Sequence, residues 1–123
     1  MINGSVNARR DAVIEVAVFG PGGQSQMIEA VVDTGFNGFL TLPIQTIEAL
    51  SLPRAGRVRV LLGDGREDFL PMYRATVSWD GSLRLVDVDA AQSDALVGMA
   101  LLAGYELRIQ VTEGGTVTIE ALP

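Results

Sequence analysis

The sequence predicts an all-β domain whose strands form a barrel-like arrangement. Apolar residues such as Ile14, Val16 and Val18 alternate along short runs, which is the two-residue period of a strand with one buried face. Glycine-rich turn signals at residues 20–23, 80–81 and 113–115 separate these runs at short intervals. The chain has 123 residues, 48% of them hydrophobic, and is expected to form one domain over residues 1–123.

Two short helices are expected among the strands. Pro43 suits the first position of a helix, and Ile44, Ile47 and Leu50 give it an apolar stripe that ends near residue 52. A second helix over 99–103 follows an apolar strand that starts at residue 95 and runs through Gly98. Residues 1–7 are expected to form a short edge strand or arm, and the other strands are predicted at 12–19, 26–32, 39–42, 57–63, 68–79, 82–89, 105–111 and 116–122.

The composition excludes several classes of function. The formal charge of −6 argues against a nucleic-acid partner, because phosphate binding requires a basic surface, and it equally disfavours a membrane surface. There is no cysteine, no apolar segment long enough to span a bilayer, and no signal-peptide pattern in the first residues, so a cytoplasmic protein is expected. The chain contains no histidine, cysteine or lysine, so we expect no zinc site, no cofactor and no Ser–His or Cys–His nucleophile.

One acid is set in an unusual local sequence. Asp33 follows an apolar run over 30–32, and Thr34 and Gly35 come directly after it. Gly35 and Gly38 permit a tight loop, and a second apolar run starts at residue 39. This pattern predicts a carboxylate held at the end of a strand among apolar neighbours, and carboxylate chemistry is what the composition leaves available.

The chain resembles the retropepsin-like aspartic proteases, of the short single-domain prokaryotic type. Residues 31–35, Val-Val-Asp-Thr-Gly, match the catalytic loop of that family. The hairpin tipped by Gly63, Asp64 and Gly65 stands where the family keeps the flap that covers the substrate. Leu96, Val97 and Gly98 match its second hydrophobic-hydrophobic-glycine element, which is followed by a short helix. The resemblance therefore implies a closed barrel-like acid-protease fold with a flap hairpin.

The resemblance also implies an activity and a partner. Since the chain carries one such motif, a twofold homodimer would bring Asp33 of each subunit to the axis, where the pair would activate water to hydrolyse a peptide bond. Thr34 would hydrogen-bond across to the partner's loop, and Gly35 would supply backbone close to the acids. Leu62 and Leu70, which flank the flap tip, are candidates for apolar subsites. No metal is implied.

The sequence departs from the retroviral pattern in two places. Phe36 replaces a small residue directly after Asp-Thr-Gly, and its ring is expected to narrow the cleft or to reshape the dimer seam. Met99 and Ala100 replace polar residues that make intersubunit contacts in the retroviral enzymes. Dimer contacts are therefore expected from terminal strands such as the one at 116–122.

Two other functions fit the same residues. A peptide- or protein-binding module would keep the fold and its groove without catalysis, and a structural β-domain would carry Asp-Thr-Gly as an exposed turn. Asp87, Asp89 and Asp94 offer oxygen ligands, and the first two share one face of a strand. No calcium-loop pattern surrounds them, so a solvated strand face is expected instead.

Overall fold

The computed structural model describes all residues, 1–123, as ten strands and two short helices. It confirms the predicted all-β architecture with two brief helices. Neither helix has the length and apolar character that crossing a membrane would require. In chain order the elements are β1 (Ile2–Val6), β2 (Ala12–Phe19), β3 (Ser25–Val32), β4 (Leu40–Pro43), α1 (Ile44–Ala49), β5 (Arg54–Leu61), β6 (Glu67–Trp79), β7 (Ser82–Ala91), β8 (Ala95–Val97), α2 (Met99–Leu102), β9 (Tyr105–Ile109) and β10 (Thr116–Ala121).

Six of the strands close into a barrel. The strand order is β5-β6-β7-β4-β8-β3-β2-β1-β10-β9, and an additional pairing of β6 with β2 closes the ring. Two pairs are parallel, β3 with β8 and β4 with β7, and the other pairs are antiparallel. Closure removes the free edges of these six strands, while β5 stays at one margin of the sheet and β9 at the other.

The interior is filled mainly by β-branched and leucine side chains. Along β2, Ile14, Val16 and Val18 are buried while the residues between them face outwards, as the two-residue period predicted. Trp79 is almost fully buried and packs edge-on against Tyr105, with ring centroids 6.0 Å apart. The resulting core of 23 buried apolar residues supports the strand ends from which the Asp33 loop, residues 33–38, emerges.

The Asp33 loop is tied to the end of β8 by backbone hydrogen bonds. The N–H of Asp33 donates to the carbonyl oxygen of Val97 at 2.9 Å, and the N–H of Gly98 donates to that of Phe39 at 3.0 Å. Strand β8 has only three residues, so its short ladder is supplemented by a side chain: Thr41, buried on β4, accepts a hydrogen bond from the N–H of Leu96 at 2.9 Å. The two segments form one interlocked unit.

Gly98 is the point of closest approach in this unit. A Cβ atom at this position would lie 2.2 Å from the carbonyl oxygen of Gly38 and 2.8 Å from that of Phe36. Both are backbone atoms, which cannot turn aside as the end of a side chain can. Only glycine lets the two segments come this close.

Several local expectations need correction. Pro43 is not the first helical residue: its ψ of 146° is extended, and it precedes the helix as the last residue of β4. Strand β1 is not an edge, because it pairs with both β2 and β10. Strand β5 begins at Arg54 rather than residue 57, through a register shift at Gly56, where φ is +121°. Strand β10 pairs with β9 along one edge and, over residues 116–119, with β1 along the other. The dimer contacts expected from this strand stay a prediction.

We expect Gly98→Ala to destabilise the protein by about 1–3 kcal/mol, because the added methyl group overlaps backbone that has no room to move. Gly63→Ala is the matched control, since its site is open and its φ is not in the left-handed region, and it should change the stability by less than about 0.5 kcal/mol. Urea unfolding followed by tryptophan fluorescence measures both free energies. Equal stability of the two variants would contradict the interlocked arrangement.

We expect Thr41→Val to cost about 1–3 kcal/mol, because the side chain keeps its shape while the N–H of Leu96 loses its acceptor. Thr118→Val on β10 makes the same chemical change where the hydroxyl has no hydrogen bond within the chain, and it should be close to neutral. The same unfolding measurement compares them. A neutral Thr41→Val would show that the hydroxyl does not support β8.

Candidate active site

Asp33 lies directly after β3, with its backbone held on both sides. Besides the bond from its N–H to Val97, its carbonyl oxygen accepts a hydrogen bond from the N–H of Phe36 at 3.1 Å and closes a tight turn. The residue is partly buried, whereas Thr34 and Gly35 are exposed. The fold therefore fixes the backbone of the acid and presents the residues after it at the surface.

The carboxylate of Asp33 has one oxygen engaged and one open. The N–H of Gly35 donates to Oδ1 at 2.9 Å, an Asx-type bond that orients the side chain. The other oxygen makes no hydrogen bond within the chain, and neither does the hydroxyl of Thr34. The acid is oriented and has capacity for an external group.

The second glycine element, Leu96, Val97 and Gly98, lies beside the Asp33 loop. In the parallel pairing of β3 with β8, Val97 is the register partner of Val32, immediately before the acid, and Leu96 is that of Val31. Beyond Gly98, the N–H of Met99 donates to the carbonyl oxygen of Phe36 at 2.8 Å. The structure thus brings the Asp-Thr-Gly and Leu-Val-Gly motifs into direct contact.

The β5–β6 hairpin carries the predicted flap tip. Its turn is closed by the N–H of Gly65, which donates to the carbonyl oxygen of Leu62 at 2.9 Å, and Gly65 has a φ of +86°. The backbone N–H of Arg66, and then its guanidinium, hold the pKa of Asp64 below its usual value. All residues from 61 to 70 are exposed, and no hydrogen bond joins this tip to the Asp33 loop.

A groove of about 620 Å³ separates the β5–β6 hairpin from the Asp33 loop. Phe36, Asn37 and Gly38 form one wall, and Val58 and Val60 of β5 belong to the opposite wall. A smaller cavity of about 120 Å³, here called the side pocket, is lined by residues 58, 60, 70, 71, 89 and 90. Leu70 therefore lines a cavity, as expected of a subsite residue, whereas Leu62 borders neither space.

The ring of Phe36 lies over glycine backbone. A Cβ atom on Gly38 would come within 2.5 Å of Phe36 Cζ, and one on Gly98 would come equally close to its Cδ2. The ring thus packs against these two positions while it borders the groove. Of the two residues that depart from the retroviral pattern after Gly98, Met99 is 45% exposed and Ala100 borders the groove.

The three acids that suggested a metal site have different surroundings. Asp87 accepts hydrogen bonds from the guanidinium of Arg74 at 3.0 and 3.2 Å, and Asp94 lies 3.9 Å from Arg9. Asp89 has no ion pair and lies partly buried where the groove meets the side pocket. No group of three acidic side chains comes together in a way that could hold a metal ion.

Asp89 differs from the solvated strand face that the sequence predicts, because it is partly buried and borders the groove. Burial, and to a smaller extent the nearby charge of Asp87, raise the pKa of its carboxyl above the usual value. The available signal was weak: an acid alternating with Val86, Val88 and Ala90 on a strand otherwise rich in apolar residues.

Comparison with known proteins places the fold. No protein-family model matches the chain, and no curated protein matches it in sequence. Among solved structures, it is similar to a retropepsin-like aspartic protease from Rickettsia conorii, with a TM-score of 0.61 and 17% sequence identity. The match covers 99% of this chain and 91% of that one. The chain therefore has the retropepsin-like aspartic protease fold.

Proposed function

We propose that this protein is a homodimeric aspartic endopeptidase in which the Asp33 carboxylates of two subunits activate water. The observation that carries the proposal is the geometry of Asp33: its backbone is fixed to β8, Gly35 orients one carboxylate oxygen, and the other oxygen is open. The retropepsin-like fold and the groove beside the Asp33 loop also support an endopeptidase.

The need for a dimer follows from the chemistry. Hydrolysis of an amide by water requires one group to remove a proton from the water and another to polarise the carbonyl. The chain supplies one Asp-Thr-Gly loop, so the second acid comes from a second copy. Two facing carboxylates cannot both be ionised, so they share one proton and provide a base and an acid together. Thr34 is exposed and its hydroxyl is unbonded, so in the proposed dimer it is free to hydrogen-bond to the partner's loop.

The reaction proceeds without a covalent intermediate on the enzyme. The ionised Asp33 of one subunit takes a proton from the water while the water oxygen bonds to the carbonyl carbon. The protonated Asp33 of the other subunit donates its proton to the carbonyl oxygen. The tetrahedral intermediate then collapses with cleavage of the C–N bond: the leaving nitrogen receives a proton from the protonated acid, and a hydroxyl of the intermediate gives its proton to the ionised acid, which restores the shared proton.

The substrate is an extended peptide. Strand β5 pairs only with β6 and lies at the margin of the sheet, next to the groove, so it is suited to receive a peptide as an added strand. The tip with Gly63, Asp64 and Gly65 closes over the bound peptide as the flap. Leu70, which lines the side pocket, contacts its side chains. Leu62, near the tip and outside both spaces, reaches them only when the flap closes.

We expect Asp33→Asn to lower kcat for peptide cleavage by at least about 100-fold, because asparagine keeps the shape and the bond from Gly35 but cannot act as a base. Asp94→Asn is the matched control at an exposed site away from the loop, and it should retain activity. A fluorogenic peptide mixture at mildly acidic pH measures both. Undiminished cleavage by Asp33→Asn would refute the site, and peptide binding without any cleavage by the wild type would identify a binding module instead.

Mixing subunits tests whether the acids act in pairs. If wild-type and Asp33→Asn chains exchange at equal amounts, only about one quarter of the dimers carry two native acids. We therefore expect about one quarter of the activity of an all-wild-type sample of the same total concentration. Independent monomers would retain one half. Unequal proportions of the two chains extend the test, since a paired site predicts activity that follows the square of the wild-type fraction.

A further inference from the structure

Asp89 lies where the groove beside the Asp33 loop meets the side pocket. The residue borders both spaces, together with Val58 and Val60 of β5. The other residues lining the side pocket are Leu70, Pro71 and Ala90, so its walls are apolar and Asp89 is its single charged residue. At about 120 Å³, the pocket has the scale of one side chain rather than of a whole ligand.

The pairing of β6 with β7 leaves this acid without a cation. Asp87 lies opposite Arg74 and forms an ion pair with it at 3.0 Å. Two residues further along the same face, Asp89 lies opposite Met72, which is uncharged. The one cation that borders the groove, Arg59, is 3.7 Å from Glu67. Strand β7 therefore carries one acid with a cationic partner, Asp87, and one acid without, Asp89.

We propose that Asp89 selects peptide substrates that place a lysine or arginine side chain in the side pocket. The apolar walls suit the methylene stem of such a side chain, while its charged end lies beside the Asp89 carboxylate, which lines the same pocket. This inference rests on the proposed protease function, since it names the substrate class of the same groove.

Other occupants of the pocket fit less well. An uncharged apolar side chain would cover Asp89 and remove water from an acid that has no partner, which is costly. An acidic side chain would be repelled by Asp89 and by the nearby Asp87. A long cation gains an ion pair where the protein supplies none, so charge complementarity and shape favour the same ligand.

The test compares matched peptides. A lysine is moved through each position of a neutral peptide that the enzyme cleaves, and at the best position it is replaced by norleucine, which keeps the stem and removes the charge. We expect kcat/KM to be about threefold to fivefold higher for lysine, the factor that one partly screened ion pair supplies. In Asp89→Asn this ratio should fall to about one, whereas Glu15→Gln, which removes a charge from an exposed site on β2, should preserve it.

A binding measurement separates this inference from the proposed function. Fluorescence anisotropy of the labelled lysine and norleucine peptides is measured with Asp33→Asn and with Asp33→Asn combined with Asp89→Asn. A lysine preference that only the second variant loses supports the role of Asp89, even if the wild type cleaves nothing and the protease proposal fails. A preference that survives Asp89→Asn, or no preference for lysine at any position, would overturn the inference, while loss of cleavage in Asp33→Asn would still support the protease.

Discussion

The site depends on the close contact between the Asp33 loop and the end of β8. Two backbone hydrogen bonds, from Asp33 to Val97 and from Gly98 to Phe39, join segments that are about sixty residues apart in the chain. Backbone bonds of this kind must be satisfied wherever water is excluded, so the barrel wall and the acid are fixed by the same interactions. Gly98 makes the contact possible because any side chain would meet backbone.

The same rigidity leaves the site chemically incomplete. Gly35 satisfies one oxygen of the Asp33 carboxylate, and nothing in the chain satisfies the other. A single acid held in this way has no second group within its own chain to polarise a substrate carbonyl, so under the proposed function each subunit provides one acid of the pair. A symmetric dimer would supply the second acid in the same geometry, because both subunits have the same fold. In the proposed dimer, the exposed Thr34 and Gly35 would face the partner subunit.

Much of the fold was predictable because its signals are local. Alternation in β2, the glycine turns and the short apolar stripes depend on neighbours in the chain, and the Asp33 and Gly98 motifs could be placed from the residues around them. The features that the sequence did not reveal depend on the register between distant strands. The double pairing of β10 follows from partners on β1 and β9, and the lack of a cation for Asp89 follows from its position opposite Met72 instead of Arg74. A two-residue shift of β7 against β6 would place Asp89 opposite Arg74, and no local pattern specifies the register.

The twofold symmetry of the proposed dimer would also affect which substrates are selected. Each subunit of a symmetric dimer carries one Asp89 pocket, so a bound peptide would meet two equivalent acids, one on each side of the bond to be cleaved. A peptide has no such symmetry, and its two halves reach the pockets with opposite chain direction. A substrate with one cation would therefore use either pocket, and two well-spaced cations would engage both. The rigid loop would then set where cleavage occurs, while the acids on β7 would set which peptides are held, with the exposed β5–β6 hairpin closing over both.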